Sequence, residues 1–228
     1  MLGRVEYAPA LELQLRICEL KKHGFLEDVL LLLEHSPTIT LGRNGKWENL
    51  LVSEQVLRSK GVSCFEADRG GDITFHGPGQ LVGYPILQLD SNERDVHRYM
   101  RNLEESLIRV LARYGIEAGR KEKLTGIWFG ERKIGALGVH ISRWVTRHGF
   151  ALNVDPDLSW FDLIVPCGLV GKKVTSMREV LSQTVKLEEV AERFVPEFGA
   201  VFDRKMVRLS APELEEELKR CAGLMAIA

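Results

Sequence analysis

The sequence predicts an α+β fold. Three strand-like segments between residues 126 and 154 follow one another through short turns. A glycine-rich double turn at 69–80 separates two more, and the helical stretches come singly between such runs. Strict strand–helix alternation, the pattern of a parallel Rossmann sheet, is missing.

Residues 9–23 read as the first helix. Pro9 suits a first turn, Leu11, Leu15 and Cys18 share a stripe, Lys21 and Lys22 fall in the last turn, and Gly24 stops it. Residues 28–34 are an apolar strand, and Ser36-Pro37 turns the chain into Ile39-Thr40-Leu41. Ser53 caps a short helix to Lys60, closed by Gly61. Strands at 62–67 and 81–89 flank the glycine-rich turn. Residues 94–114 form a long amphipathic helix with Val96, Met100, Leu103, Leu107, Val110 and Leu111 on its apolar side. Strands at 126–129, 133–142 and 149–154 follow, the first two joined at Gly130-Glu131. Residues 186–194 are helical, and Ser210 with Glu213 makes a capping box for a last helix to Arg220.

A single domain spanning 1–228 is expected at this length. Hydrophobic residues make up 45%, enough for a sizeable core, and 28% are charged, as on an ordinary soluble surface. Lys+Arg number 31 against 32 Asp+Glu, a balance that argues against nucleic-acid binding. The longest apolar run, 29–33, is too short for a bilayer, and no basic segment precedes an apolar one at the N-terminus. Cys18, Cys64, Cys167 and Cys221 form no C-x-x-C pair, so neither a metal site nor a disulfide framework is expected. A reduced, cytoplasmic setting fits.

The run Arg69-Gly70-Gly71-Asp72-Ile73-Thr74-Phe75-His76-Gly77-Pro78-Gly79-Gln80 is richer in permissive residues than a hairpin needs. It reads as a substrate cradle or, more plainly, as a glycine-rich double turn. Cys167 sits between Pro166, which fixes φ, and Gly168, which allows a sharp turn. That context suits a nucleophile and a small core residue equally well. Cys18 and Cys64 fall inside helix and strand patterns and read as core, and Cys221 as incidental. A thiol with an ordinary pKa of about 8.5 is mostly protonated at neutral pH and needs a base or a cation. His76, His140, His148 and Lys133 are the candidates. Lys133 enters the run Ile134-Gly135-Ala136-Leu137-Gly138, whose small residues would take its ammonium partly out of water, unless it is a hairpin-end lysine in solvent. Spacing does not choose among the four. Gly135, Gly138, Gly149, Gly168 and Gly171 with apolar neighbours suit a slim ligand such as an acyl chain, or tight sheet packing. Neither a phosphate loop nor G-x-G-x-x-G occurs, so nucleotide binding has no direct support.

These motifs, in this order, resemble the lipoyl(octanoyl) transferases: the 69–80 run, Lys133-Ile134-Gly135-Ala136-Leu137-Gly138, His148-Gly149-Phe150-Ala151-Leu152-Asn153, and Pro166-Cys167-Gly168. The resemblance runs from about Leu41 to Ser176; beyond about Met177 no motif carries it. It implies the biotin/lipoate ligase fold, a mixed sheet flanked by helices. Cys167 is then the thiol nucleophile and Lys133 its partner. Arg69, Gly70, Gly71, Asp72, Ile73, Thr74, Phe75 and His76 line the acyl site with Ala136, Leu137, Gly138, Gly149, Phe150 and Ala151. Leu137 stands where the family commonly has a β-branched residue. The implied donor is octanoyl-acyl carrier protein. The implied acceptors are the lipoyl domains of 2-oxoacid dehydrogenase E2 subunits and the glycine cleavage H protein. A thioester-to-amide transfer is downhill, so no cofactor is expected. A monomer acting away from membranes and nucleic acid completes the expectation.

Overall fold

The computed structural model describes residues 1–165 and 173–227. Strands β1 (Arg4–Val5), β2 (Val29–His35), β6 (Gln80–Ile86), β7 (Gly119–Lys121), β8 (Leu124–Phe129), β9 (Arg132–Ser142) and β10 (Val145–Asn153) form one sheet in the order β1-β2-β6-β10-β9-β8-β7. Strands β3 (Thr38–Leu41), β4 (Ser63–Glu66) and β5 (Ile73–His76) form a smaller one in the order β4-β3-β5. Each sheet is mixed: β1 runs parallel to β2 and β3 to β4, while the other pairs are antiparallel.

Both faces of the large sheet are covered, which is why β2 and β6 read as nearly continuous apolar runs. Helices α3 (Val96–Ala112) and α5 (Leu187–Phe202) lie on one face, with Leu32, Leu81, Phe150 and Leu152 beneath them. Helices α1 (Tyr7–Lys22) and α6 (Ala211–Ile227) lie on the other, over Leu31, Leu33, Val82, Tyr84 and Ala151. Neighbouring residues of one strand therefore serve opposite layers. A third cluster joins Ile39, Ile73 and Phe75 of the small sheet to Phe161 and to Leu57 of α2 (Glu54–Ser59).

Several expectations needed revision. The buried face of α1 is Tyr7, Ala10, Gln14, Ile17 and Cys18, while Leu15 is 46% exposed. In α3 it is Tyr99 that is buried, and Val96 is exposed. Helix α5 passes through Pro196 and continues to Phe202. The continuous ring contacts of Phe194, Phe198 and Phe202, with Phe150 against Phe194 at 4.7 Å, bury enough surface to tolerate the missing proline donor. Cys221, expected to be incidental, is fully buried in α6. The capping box is reciprocal: Ser210 N donates to Glu213 Oε2 at 2.6 Å and Glu213 N to Ser210 Oγ at 3.4 Å. Helix α4 (Met177–Leu181), β1 and β7 had no clear sequence signal. Among the described residues no helix is long and apolar enough to cross a membrane.

Candidate active site

The glycine-rich run is half loop and half strand. Its second part, Ile73–His76, pairs as β5 with β3. The first part is laced to the chain after β3: Gly42 N donates to Asp72 O, Arg43 N to Arg69 O and Asn44 N to Gly71 O, at 3.0–3.2 Å. Arg69 is buried and clamps the same strand. Its Nη2 donates to the carbonyl and the hydroxyl of Thr40, each at 2.8 Å, and Nη1 to Gly70 O at 3.0 Å. Asp72 accepts from Ile73 N and from Asn49 Nδ2 at 2.6 and 2.7 Å. Arg69 holds the loop against β3, and Asp72 ties it to Asn49.

Where this run meets β9 and β10 it encloses a slot. Arg69, Gly71, Asp72, Ile73, Thr74 and His76 line it with Ala136, Leu137, Gly138, Gly149, Phe150 and Ala151. Its empty space is about 500 Å³, the open mouth included, of which about 50 Å³ admits a water-sized sphere. The shape is narrow, mostly apolar and suited to an unbranched chain. Gly70 and Phe75 do not line it; Phe75 turns into the third cluster and stacks on Trp160 at 5.5 Å. Tyr7, Tyr84 and His148 complete the lining. Tyr7 and Tyr84 escaped sequence analysis because one lies on a helix and the other on a strand with no motif around it.

The slot glycines serve packing as well as access. A Cβ on Gly138 would stand 2.7 Å from Gly70 O, and one on Gly149 would meet Gly83 O and Pro85 Cδ. Tight sheet packing thus accounts for the missing side chains at both positions.

His76 and His148 are buried and neutral. Burial, reinforced by His35 and Arg69 and opposed by the Gln80 hydrogen bond, pushes the pKa of His76 down to about 3. Its Nδ1 donates to Gln80 Oε1 at 2.9 Å, which leaves Nε2 to accept from the Thr40 hydroxyl at 3.3 Å. Burial, then Arg147 and Arg69, hold His148 at about 3 as well, and its Nε2–H donates to Asp68 Oδ1 at 2.7 Å. His148 has φ +57, a left-handed kink within β10. Its N–H donates to Gln14 Oε1 of α1 at 2.8 Å. His140 faces Arg43 and Asp68 near the surface.

Lys133 is buried, 8% exposed, and so is not a hairpin-end lysine in solvent. It lines a small recess with Gln80, Gly135, Asn153 and Val174 that shares Thr74, Ala136 and Ala151 with the slot. The recess that holds Lys133 thus adjoins the slot. Its backbone is tied to the chain beyond residue 172: Lys133 N donates to Lys173 O and Thr175 N to Lys133 O, both at 2.9 Å. Gln80 Nε2 donates to Asn153 Oδ1 and Asn153 Nδ2 to Thr175 O, each at 3.0 Å. On the other side, Val165 N donates to Asn49 O at 2.7 Å. Cys167 lies outside the described residues. Cys18 is buried against Thr146 O and Cys64 is half-buried. Among the described residues no cluster of His, Cys, Asp or Glu is placed to hold a metal ion.

The lipoyl protein ligase A/B catalytic domain model matches residues 6–199. An octanoyltransferase of Solibacter usitatus is 57% identical over 206 residues, covering 90% of this chain and 93% of its own. One from Caldicellulosiruptor saccharolyticus is 48% identical and covers 96% and 94%. Among solved structures, the bi-partite lipoate protein ligase of Thermoplasma acidophilum superposes with a TM-score of 0.72 at 17% identity, covering 96% of this chain and 89% of that one. At that identity the structural likeness speaks for the fold, which agrees with the one expected from the motifs. By the length of the family match and the identity of its relatives, the chain belongs to the lipoyl protein ligase A/B catalytic domain family.

Proposed function

We propose that this chain, an acyltransferase by its family, moves an octanoyl group from octanoyl-acyl carrier protein to a specific lysine of lipoyl domains. The observation that carries this reading is the narrow slot and the Lys133 recess beside it, which share Thr74, Ala136 and Ala151. The segment bearing Cys167 is spliced between Val165, tied to Asn49, and Lys173, tied to Lys133. The 46–57% identical relatives named octanoyltransferase support the same chemistry.

In this mechanism the Lys133 ammonium stabilises the Cys167 thiolate. The thiolate attacks the thioester carbonyl; a new C–S bond forms, the old one breaks, and the carrier thiolate leaves, taking a proton from the Lys133 ammonium. The acceptor amine then attacks the S-octanoyl carbonyl. The C–N bond forms, the C–S bond to Cys167 breaks, and the amine proton goes to the neutral Lys133, which restores the ammonium beside the departing thiolate. Leu137, within the slot lining, tunes the accepted chain length. His76, with both ring nitrogens engaged by Gln80 and Thr40, orients the slot wall and is not the base. Arg69 holds the loop, and the pairing of thiol with lysine leaves His140 and His148 outside the bond-making steps.

The second reading is an ATP-dependent lipoate ligase, favoured by the fold shared with the Thermoplasma ligase. Purified protein, octanoyl-carrier protein and a lipoyl domain decide between them. Octanoyl transfer to the domain is expected without ATP. Transfer that requires ATP and free octanoate would overturn it.

A further inference from the structure

We infer that Trp128 is a positioning residue whose indole face seats the Lys133 ammonium in the recess beside the acyl slot. The inference rests on the reading of Lys133 as the partner of the reactive thiol. Lys133 Nζ lies 4.9 Å from the centre of the Trp128 ring, within range of a cation–π contact. The two residues are directly opposite on β8 and β9, where paired side chains share a face. An irregularity in the ladder at Ile127/Trp128 adjusts the approach. Trp128 is 2% exposed, so the contact is made away from water, where such attractions are strongest.

The neighbouring backbone makes room for the lysine stem. Gly126 has φ +125, a conformation reserved for glycine, and a Cβ there would stand 3.1 Å from Lys133 Cε and 2.8 Å from Gly135 O. Glu104 of α3, buried between Arg101 and Arg120 at 2.7 and 3.1 Å, accepts from Gly126 N at 3.3 Å. Helix α3 thereby fixes the strand that carries both the gap and the indole. Lys121 also lies 5.2 Å from the Trp128 ring, but it pairs with exposed Glu131 and is absent from the recess lining.

The test combines a reading of placement with a reading of rate. In the full-length protein, ring currents should move the Lys133 ε-methylene protons upfield, with the signal assigned by its loss in Lys133→Arg. Trp128→Leu should return them to the ordinary lysine position, and Trp128→Phe should keep part of the shift. In steady-state transfer, Trp128→Leu should lower kcat about tenfold with KM for the octanoyl donor within about twofold, and Trp128→Phe should lose less. Lys121→Gln should change neither reading. An unshifted Lys133 signal in wild type, or a signal unmoved in Trp128→Leu, would overturn the seat. So would an unchanged kcat once the shift is lost. Because Trp128→Leu empties buried volume, circular dichroism melts of both variants accompany the kinetics, and a rate lost equally in a well-folded Trp128→Phe would also count against the inference. Full activity in Lys133→Ala would instead refute the role of Lys133 itself, leaving the placement to the proton shifts.

Discussion

Single residues set the chemistry available to this slot, and His76 shows how far context can override residue type. A histidine in a glycine-rich loop invites assignment as a base, yet this one is buried, bonded through both nitrogens and depressed to about 3. Between the ordinary value of 6.5 and about 3, the unfolded chain binds a proton that the folded chain refuses. Stability contributed by this group is therefore whole above 6.5 and drains as pH falls, at about 1.4 kcal/mol per pH unit. Urea melts of wild type at pH 7 and pH 5 should show the loss, and His76→Gln should show a shallower one; equal slopes would count against a neutral buried ring. Gly149→Ala tests the packing of the slot wall. Its Cβ meets Gly83 O and Pro85, so a loss of about 1–3 kcal/mol is expected in the same melts. The cysteines were partly legible. Cys18 was recognisable from its helical setting, but the burial of Cys221 was hidden because α6 runs on to Ile227, past the expected end at Arg220.

At the scale of elements, polar side chains carry the ties between them. Gln80 on β6, Asn153 on β10 and the backbone of Thr175 form one hydrogen-bonded line from the slot wall to the segment paired with Lys133. Asn153→Ala leaves the Gln80 amide and the Thr175 carbonyl short of a partner, at a cost of about 1–3 kcal/mol. Calorimetry should record that cost, and the transfer rate should fall with it; a fully active, equally stable variant would show that the line does not organise the site. Helices with strong amphipathic patterns and caps were readable from sequence, down to the reciprocal bonds of Ser210 and Glu213. The buried face of α1 was not, because Tyr7 and Gln14 are polar residues turned inward to serve the slot and β10. β5 was hidden inside the glycine-rich run for the opposite reason. The glycines around it mark a loop, and only pairing with β3 reveals the strand.

For the molecule as a whole, the two covered faces of the large sheet fix β9 and β10 rigidly, and the small sheet brings the Arg69 loop over them. The slot is the product of separate stretches of the chain meeting, which spacing cannot express. The same architecture serves ligases such as the Thermoplasma protein, so fold alone does not choose between ATP-driven activation and direct transfer. What would separate the two is whether an octanoyl intermediate forms on Cys167. Intact mass of the protein mixed with octanoyl-acyl carrier protein, before any acceptor is added, tests this most directly. A single octanoyl adduct is predicted on wild type and on Cys64→Ala, absent from Cys167→Ala and discharged by a lipoyl domain. No adduct on the wild type, or an adduct that survives Cys167→Ala, would contradict the account.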